Sequence, residues 1–396
     1  MKKFLAVLLC LCVMLTLVSC GGSSSSNSAG TDTQSGTSDA DTQSGQTAAV
    51  SSMRVAMVTD YGDITDQSFN QTTYEACKAW SEENGIPFTY FKPAGDSTAE
   101  RIAMIESAVD QDYNVIVLPG YAFGEAVKET APEFDDVIFI ALDVGPSDLG
   151  EGYTPPSNLY CAVYQEELSG YMAGYTAAGL GYVHLGFLGG MEVPAVKRFG
   201  YGYVQGVNDA VVNLGLDIPV TVEYAYGNQF SGDADITAYM DTWYQTHNVQ
   251  VVFASGGGIW TSAAEAAAKT GGKIIGVDVD QSATIDGQYG EGMTVTSAMK
   301  GLTATVYNML SEIQAGNFAQ YGGQIATLGL VSENPDENYV QLPMETTQWN
   351  DNFTLADYQK LVSDMYHGNI TVSDDVSGKP DMYATDITVN FYGNIK

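Results

Sequence analysis

The feature that most limits what this chain can fold into is a repeated alternation of short, unbroken apolar runs with longer amphipathic stretches. Runs at 55–58, 88–91, 115–118, 137–142 and 159–164 are separated by helix-period segments such as 72–84, 99–112 and 123–133. A run without polar alternation suits a strand covered on both faces, the condition of a parallel sheet. Parallel neighbours need a long crossover, so strand, helix and strand in succession make right-handed βαβ units. A helical pattern follows at 166–179, and the alternation then restarts. Runs at 184–188, 220–224, 251–254 and 273–277 are separated by 195–214, 234–246 and 261–270. Two successive strand sets predict two α/β lobes rather than one very wide sheet. One more β–α unit follows at 293–297 and 302–315. Beyond 318 the pattern is irregular, with a helix predicted over 354–366, opened by Thr354 with Asp357 three residues on, and a strand-like 383–389.

The first 52 residues read as delivery and spacing. Lys2 and Lys3 precede an apolar run over 4–18, too short for a comfortable membrane span and suited to a secretory signal. Leu17-Val18-Ser19-Cys20 is similar to the lipobox of bacterial lipoproteins, which would make Cys20 the acylated (palmitate-bearing) first residue of the mature protein; the bland alternative is an ordinary signal cut nearby. The 21–52 tract of Ser, Gly, Thr, Asp and Gln has almost nothing to bury and is expected to act as a tether. Cys77 and Cys161 read as buried small hydrophobes, with a disulfide between them left open. A net charge of −33 argues against nucleic acid as a partner, because such a surface repels phosphate backbones.

Signatures of catalysis or cofactor binding fail on spacing. GFLGG at 186–190 follows a strand but is not a dinucleotide fingerprint, and GYGYVQG at 200–206 has its glycines at the wrong offsets. His184, His247 and His367 are far apart and without metal-ligand spacing. Neither cofactor nor metal is expected. What recurs is a polar or glycine-rich ending to each strand: Asp60, Pro119-Gly120-Tyr121, Asp143, Gly189-Gly190, Ser255-Gly256-Gly257 and Asp278. In open α/β sheets the ligand lies at this carboxyl edge. Carboxylates there accept pairs of hydroxyl hydrogen bonds, which favours a ribose or sugar diol over an anion. Phe69 in the first lobe and Phe230 in the second are candidates to stack on a planar base, with Phe199 the runner-up. Asp66 or Ser68 can cap the helix that carries Phe69 and Asn70. Lys300 follows a strand and, on pattern alone, reads as a surface residue.

The blocks VTDYGDITDQSFNQTTYEA, FLGGMEVPAVKRFGYGYVQGV, GVDVDQ and VTSAMK, in this order behind a lipobox, closely resemble the basic membrane protein family of solute-binding lipoproteins, which includes purine nucleoside receptors. The likeness runs from about 53 to about 316. It implies a type I periplasmic-binding-protein architecture, two Rossmann-like lobes with parallel sheets joined by a hinge of three crossovers. It implies a non-enzymatic, lipid-anchored receptor on the outer face of the cell membrane, a monomer that captures a nucleoside for an ABC importer. Its site would comprise Asp60, Ser68, Phe69 and Asn70 at the base, Phe230 on the base's other face, Asp143, Asp278 and Lys300 at the ribose, and Gly256 for close backbone approach. The first lobe is expected to comprise 53–164 and 281–317, the second 165–280 with 318–396 as its tail. Tyr61-Gly62-Asp63 and the acidic tail depart from the family pattern. Two other readings compete: a nucleoside-acting α/β enzyme such as a hydrolase, and a sensory lipoprotein that binds a sugar or flavin.

Overall fold

The computed structural model describes residues 53–396 apart from Glu151; the signal-like segment, Cys20 and the 21–52 tract lie outside the described residues. The strands are β1 (Val55–Val58), β2 (Phe88–Phe91), β3 (Val115–Pro119), β4 (Ile138–Leu142), β5 (Leu159–Tyr164), β6 (His184–Gly189), β7 (Thr221–Tyr226), β8 (Val251–Ser255), β9 (Lys273–Asp278), β10 (Thr294–Lys300), β11 (Ile325–Leu328), β12 (Val340–Gln341) and β13 (Thr388–Asn394). They form two sheets, in the orders β11-β5-β4-β3-β1-β2 and β12-β10-β9-β8-β6-β7-β13. Both contain the same doubly wound core, in which the first strand of the set lies between the second and the third. Each order therefore reverses direction once, between β1 and β3 and between β6 and β8.

The unbroken apolar runs are explained by burial on both sheet faces. Ala56 and Val58 pack with Ile116, Leu118, Phe139 and Ala141, whereas Val55 packs with Val115, Val117, Ile140 and Leu142 in a separate cluster. Successive side chains point to opposite faces, so each strand feeds both layers. Cys77 and Cys161 are buried and unpaired.

Three crossovers connect the sheets: Gln165 after β5, Gly301 after β10, and 329–339 between β11 and β12. They lie against one another. Gln165 N–H donates to Leu328 O at 2.9 Å, and Gly301 N–H to Tyr339 O at 2.7 Å. This corrects the expected lobe boundaries. Helix Ser282–Tyr289 and β10 had been assigned to the first lobe, yet β10 continues the parallel ladder from β9, and the chain crosses only at Gly301. Helix Leu302–Gln314 does return to the first lobe, where Trp80 Nε1 donates to Ser311 Oγ at 2.9 Å. Conversely β11, in the segment assigned to the second lobe, pairs with β5 of the first.

The tail extends the second lobe. Helix Leu355–Tyr366 starts at a capping box in which Thr354 N–H donates to the Asp357 carboxylate at 2.8 Å. The last strand falls at Thr388–Asn394 rather than at 383–389, and adds in parallel to β7. GYGYVQG finds its meaning in helix packing. An ideal Cβ on Gly202 would come within 2.0 Å of Glu167 O, and one on Gly206 within 2.1 Å of Tyr171 O. Gly170 and Gly174 meet the carbonyls of Phe199 and Tyr203 as closely. Helices Glu166–Gly179 and Pro194–Asn213 thus pack backbone against backbone, which only glycine permits at these four positions.

Candidate ligand-binding site

The carboxyl ends of both sheets line one cavity of about 650 Å³. Eight of the nine predicted binding residues line it: Asp60, Phe69, Asn70, Asp143, Phe230, Gly256, Asp278 and Lys300. Ser68 does not. It is fully buried behind the wall, and its hydroxyl donates to Asp278 Oδ2 at 2.5 Å across the lobes. Ser68 is free to do so because Asp66 caps the helix Phe69–Asn84, accepting from the backbone N–H of Asn70 at 2.9 Å and Gln71 at 3.0 Å.

One polar group gathers at the switch point beside β1 and β3. Asp60 Oδ1 accepts from the N–H groups of Tyr61 and Gly62, both at 2.6 Å. Burial pushes the Asp60 carboxyl above its ordinary range, an effect those hydrogen bonds and one from Asn70 only partly offset. Asn70 Nδ2 donates to Asp66 Oδ2 at 3.1 Å, while Asn70 Oδ1 is buried without a partner.

The second polar group centres on Lys300, which is buried rather than on the surface. Its ammonium donates to Asp143 Oδ2 at 2.6 Å, and lies 3.1 Å from Glu166 Oε1 and 3.9 Å from Asp278 Oδ1. The rings of Phe69, Phe199 and Tyr164 surround it, with centroids at 5.0, 5.4 and 5.6 Å. Burial alone would lower the Lys300 pKa, but Asp143, Glu166 and Asp278 together hold it above its ordinary value. The Asp143 carboxyl is pushed up to about 6, first by burial and then by the charges of Glu166 and Asp278, against the pull of Lys300. Burial likewise raises Asp278. Both aspartates adopt left-handed backbone, φ 59° at Asp143 and 66° at Asp278. Such geometry costs about 1–3 kcal/mol and concentrates at ligand sites.

Phe230 reaches the cavity from the loop after β7. A Cβ on Gly190 would stand 2.4 Å from its ring and one on Gly256 2.8 Å, so these glycines bring backbone flush against the aromatic face. At Gly256, φ 141° requires glycine as well. Asp143 Oδ1 and Ser255 Oγ, like Asn70 Oδ1, are buried without partners. Each orphan costs about 1–3 kcal/mol until something hydrogen-bonds to it.

Tyr61, Tyr121, Met191 and Ser255 also belong to the lining, and Glu166 and Arg198 support it. Sequence reasoning had not assigned them roles. Glu166 follows β5 by two residues, so the strand-end rule that found Asp143 would have found it too. Among the described residues lining the cavity are six aspartates against one lysine. That balance repels phosphate and accepts hydroxyl and amine donors.

Residues 53–374 match the family described as ABC transporter substrate-binding protein PnrA-like, Bmp. The chain belongs to the Bmp family. Bmp relatives include the ABC transporter nucleoside-binding protein BmpA of Lactococcus lactis, 28% identical over 81% of this chain and 89% of the relative. Basic membrane protein B of Borreliella burgdorferi is 25% identical over 72% and 81% of the two chains. Among solved structures, the ABC transporter solute-binding protein of Conexibacter woesei aligns at TM-score 0.63 and 21% identity, covering 82% of this chain and 99% of that one. One from Aeropyrum pernix aligns at 0.61 and 21%, covering 84% and 90%. The Bmp chain thus has the type I periplasmic-binding-protein fold and belongs to a family of ABC transporter substrate-binding proteins. No helix among the described residues is long and apolar enough to cross a membrane.

Proposed function

We propose that this receptor captures a nucleoside, with a purine base, and presents it as a monomer to an ABC importer, tethered outside the cell membrane by an acyl chain on Cys20. The observation that carries the reading is the pairing of chemistries in one cavity: aromatic side chains from both lobes, Phe69 and Phe230, together with a carboxylate–amide group at Asp60 and Asn70 and a carboxylate–ammonium group at Asp143, Asp278 and Lys300. A base needs flat apolar faces and polar edges, and a ribose needs paired donors and acceptors for its diol. The unpartnered Asn70 Oδ1 and Asp143 Oδ1 supply one acceptor to each. The excess of aspartate favours a nucleoside over a nucleotide. The nucleoside-binding relative supports the same reading.

Binding would draw the lobes together about the three crossovers, with ligand contacts stabilising the closed arrangement. The test is mass spectrometry of ligand released from the purified 53–396 segment, with calorimetry on the emptied protein. A purine nucleoside with saturable heat is the expected result. Recovery of a hexose or a flavin, with no heat from adenosine, guanosine or inosine, would overturn the proposal. For the tether, mass spectrometry of the membrane-extracted protein is expected to find acyl chains on Cys20, and an unmodified terminus would reject them.

A further inference from the structure

The ribose-side cluster contains a charged residue that lies outside the cavity wall. Glu166 is fully buried and opens the helix that follows the first crossover. Its Oε2 accepts from Arg198 Nε at 2.6 Å, and its Oε1 lies 3.1 Å from the Lys300 ammonium. Lys300 is the last residue before the second crossover at Gly301. The contact therefore ties two crossovers together immediately behind the site.

We propose that Glu166 is a positioning residue for ligand binding: it parks the Lys300 ammonium so that Lys300 and the unpartnered Asp143 Oδ1 stand ready for a pair of ligand hydroxyls. The argument turns on which partners of Lys300 belong to which lobe. Asp143 follows β4 of the first sheet, so its contact with Lys300 is made between lobes. Asp278 ends β9 beside Lys300, but its own partner Ser68 comes from the first lobe. When the lobes part, Asp143 and Ser68 leave. Glu166, pinned by Arg198 on the same lobe, remains. It is the carboxylate that keeps the ammonium in place in both arrangements.

Without that carboxylate, Lys300 would have Asp278 as its remaining ionic partner on its own lobe, 3.9 Å away. An ammonium drawn onto Asp278 would consume a donor and an acceptor that face the cavity. Glu166 would thus keep Lys300 and Asp278 from neutralising each other, and its loss should affect hydroxyl recognition while leaving the aromatic contacts to the base intact.

This inference rests on the nucleoside reading, and the experiment separates the two. Calorimetry compares adenosine with 2′,3′-dideoxyadenosine on the wild type and on Glu166→Gln. The wild type is expected to prefer adenosine, and Glu166→Gln to lose about tenfold or more of that preference while its affinity for the dideoxy compound stays within about twofold. A purely structural role would weaken both ligands alike and leave the preference unchanged, which would overturn the proposal with the nucleoside reading intact. Absence of heat from both ligands on the wild type, and from guanosine and inosine as well, would overturn both. Should Glu166→Gln fail to fold, Arg198→Lys keeps the charge but removes the Nε–H that pins Glu166; it should show the same selective loss at smaller amplitude, and an unchanged preference there would equally reject the role.

Discussion

Lys300 and Asp143 meet at 2.6 Å although Lys300 ends a strand of the seven-stranded sheet and Asp143 follows a strand of the six-stranded one. The pair spans the cleft next to the ligand cavity, and its ionisation bears on both stability and recognition.

Asp143 makes stability depend on pH with a definite sign. Its folded pKa of about 6 lies above the ordinary 3.8, so the folded state favours the protonated form. Its contribution is fully present below pH 3.8 and is lost as pH rises through about 6. The gap corresponds to about 3 kcal/mol. Asp143→Asn removes this dependence while Glu166, Asp278 and Lys300 still face the site. In urea titrations of the empty protein, the variant should gain on the wild type by about 2 kcal/mol between pH 4 and pH 7, the part of the gap that this range spans. Parallel stability curves across that range would show that the Asp143 pKa is not raised.

Phe69 lines the cavity and also faces the Lys300 ammonium. A base stacked on its ring would lose about 1–3 kcal/mol of binding on truncation. Calorimetry on Phe69→Ala should show adenosine affinity reduced by about tenfold to a hundredfold. Unchanged affinity would remove Phe69 from the base site.

The two-lobe architecture was legible because unbroken apolar runs and strand-end aspartates are local signals. Asp60, Asp143 and Asp278 share one cause: each ends a strand of a parallel sheet, and topology brings such ends together. The lobe boundaries were not legible, because nothing in the residues of β10, TVTSAMK, says which sheet it joins; its membership is decided by pairing with β9. β11 was missed since it is a short, half-exposed edge strand with little pattern. Lys300 looked like a surface residue because the carboxylates that make its burial tolerable come from three other segments. The glycines of GYGYVQG carried a signal whose meaning lay in contact with the preceding helix, Glu166–Gly179, which spacing within the motif does not reveal.

That helix pair gives a stability prediction away from the site. At Gly202 an added Cβ would fall 2.0 Å from Glu167 O, a backbone atom that cannot swing aside. Gly202→Ala must therefore separate the two helices. It should cost about 1–3 kcal/mol or more in urea denaturation. Moving Glu167 also moves its neighbour Glu166, so adenosine affinity should fall with stability. Wild-type stability would mean the helices are not held at this distance.

Met191 provides the last prediction. Its sulfur accepts from Tyr61 Oη at 3.5 Å and from Tyr121 Oη at 3.7 Å, and both phenols belong to the first lobe while Met191 follows β6 of the second. All three line the cavity, so this contact forms only while the lobes are together. A hydrogen bond is worth about 0.5–1.5 kcal/mol net, and thioether sulfur is a weak acceptor. An interaction made after encounter acts mainly on release. Stopped-flow measurements on Met191→Ala should therefore show adenosine leaving about two- to tenfold faster, with the association rate nearly unchanged. A slower association with unaltered release would place the contact before closure and reject its role as a clamp.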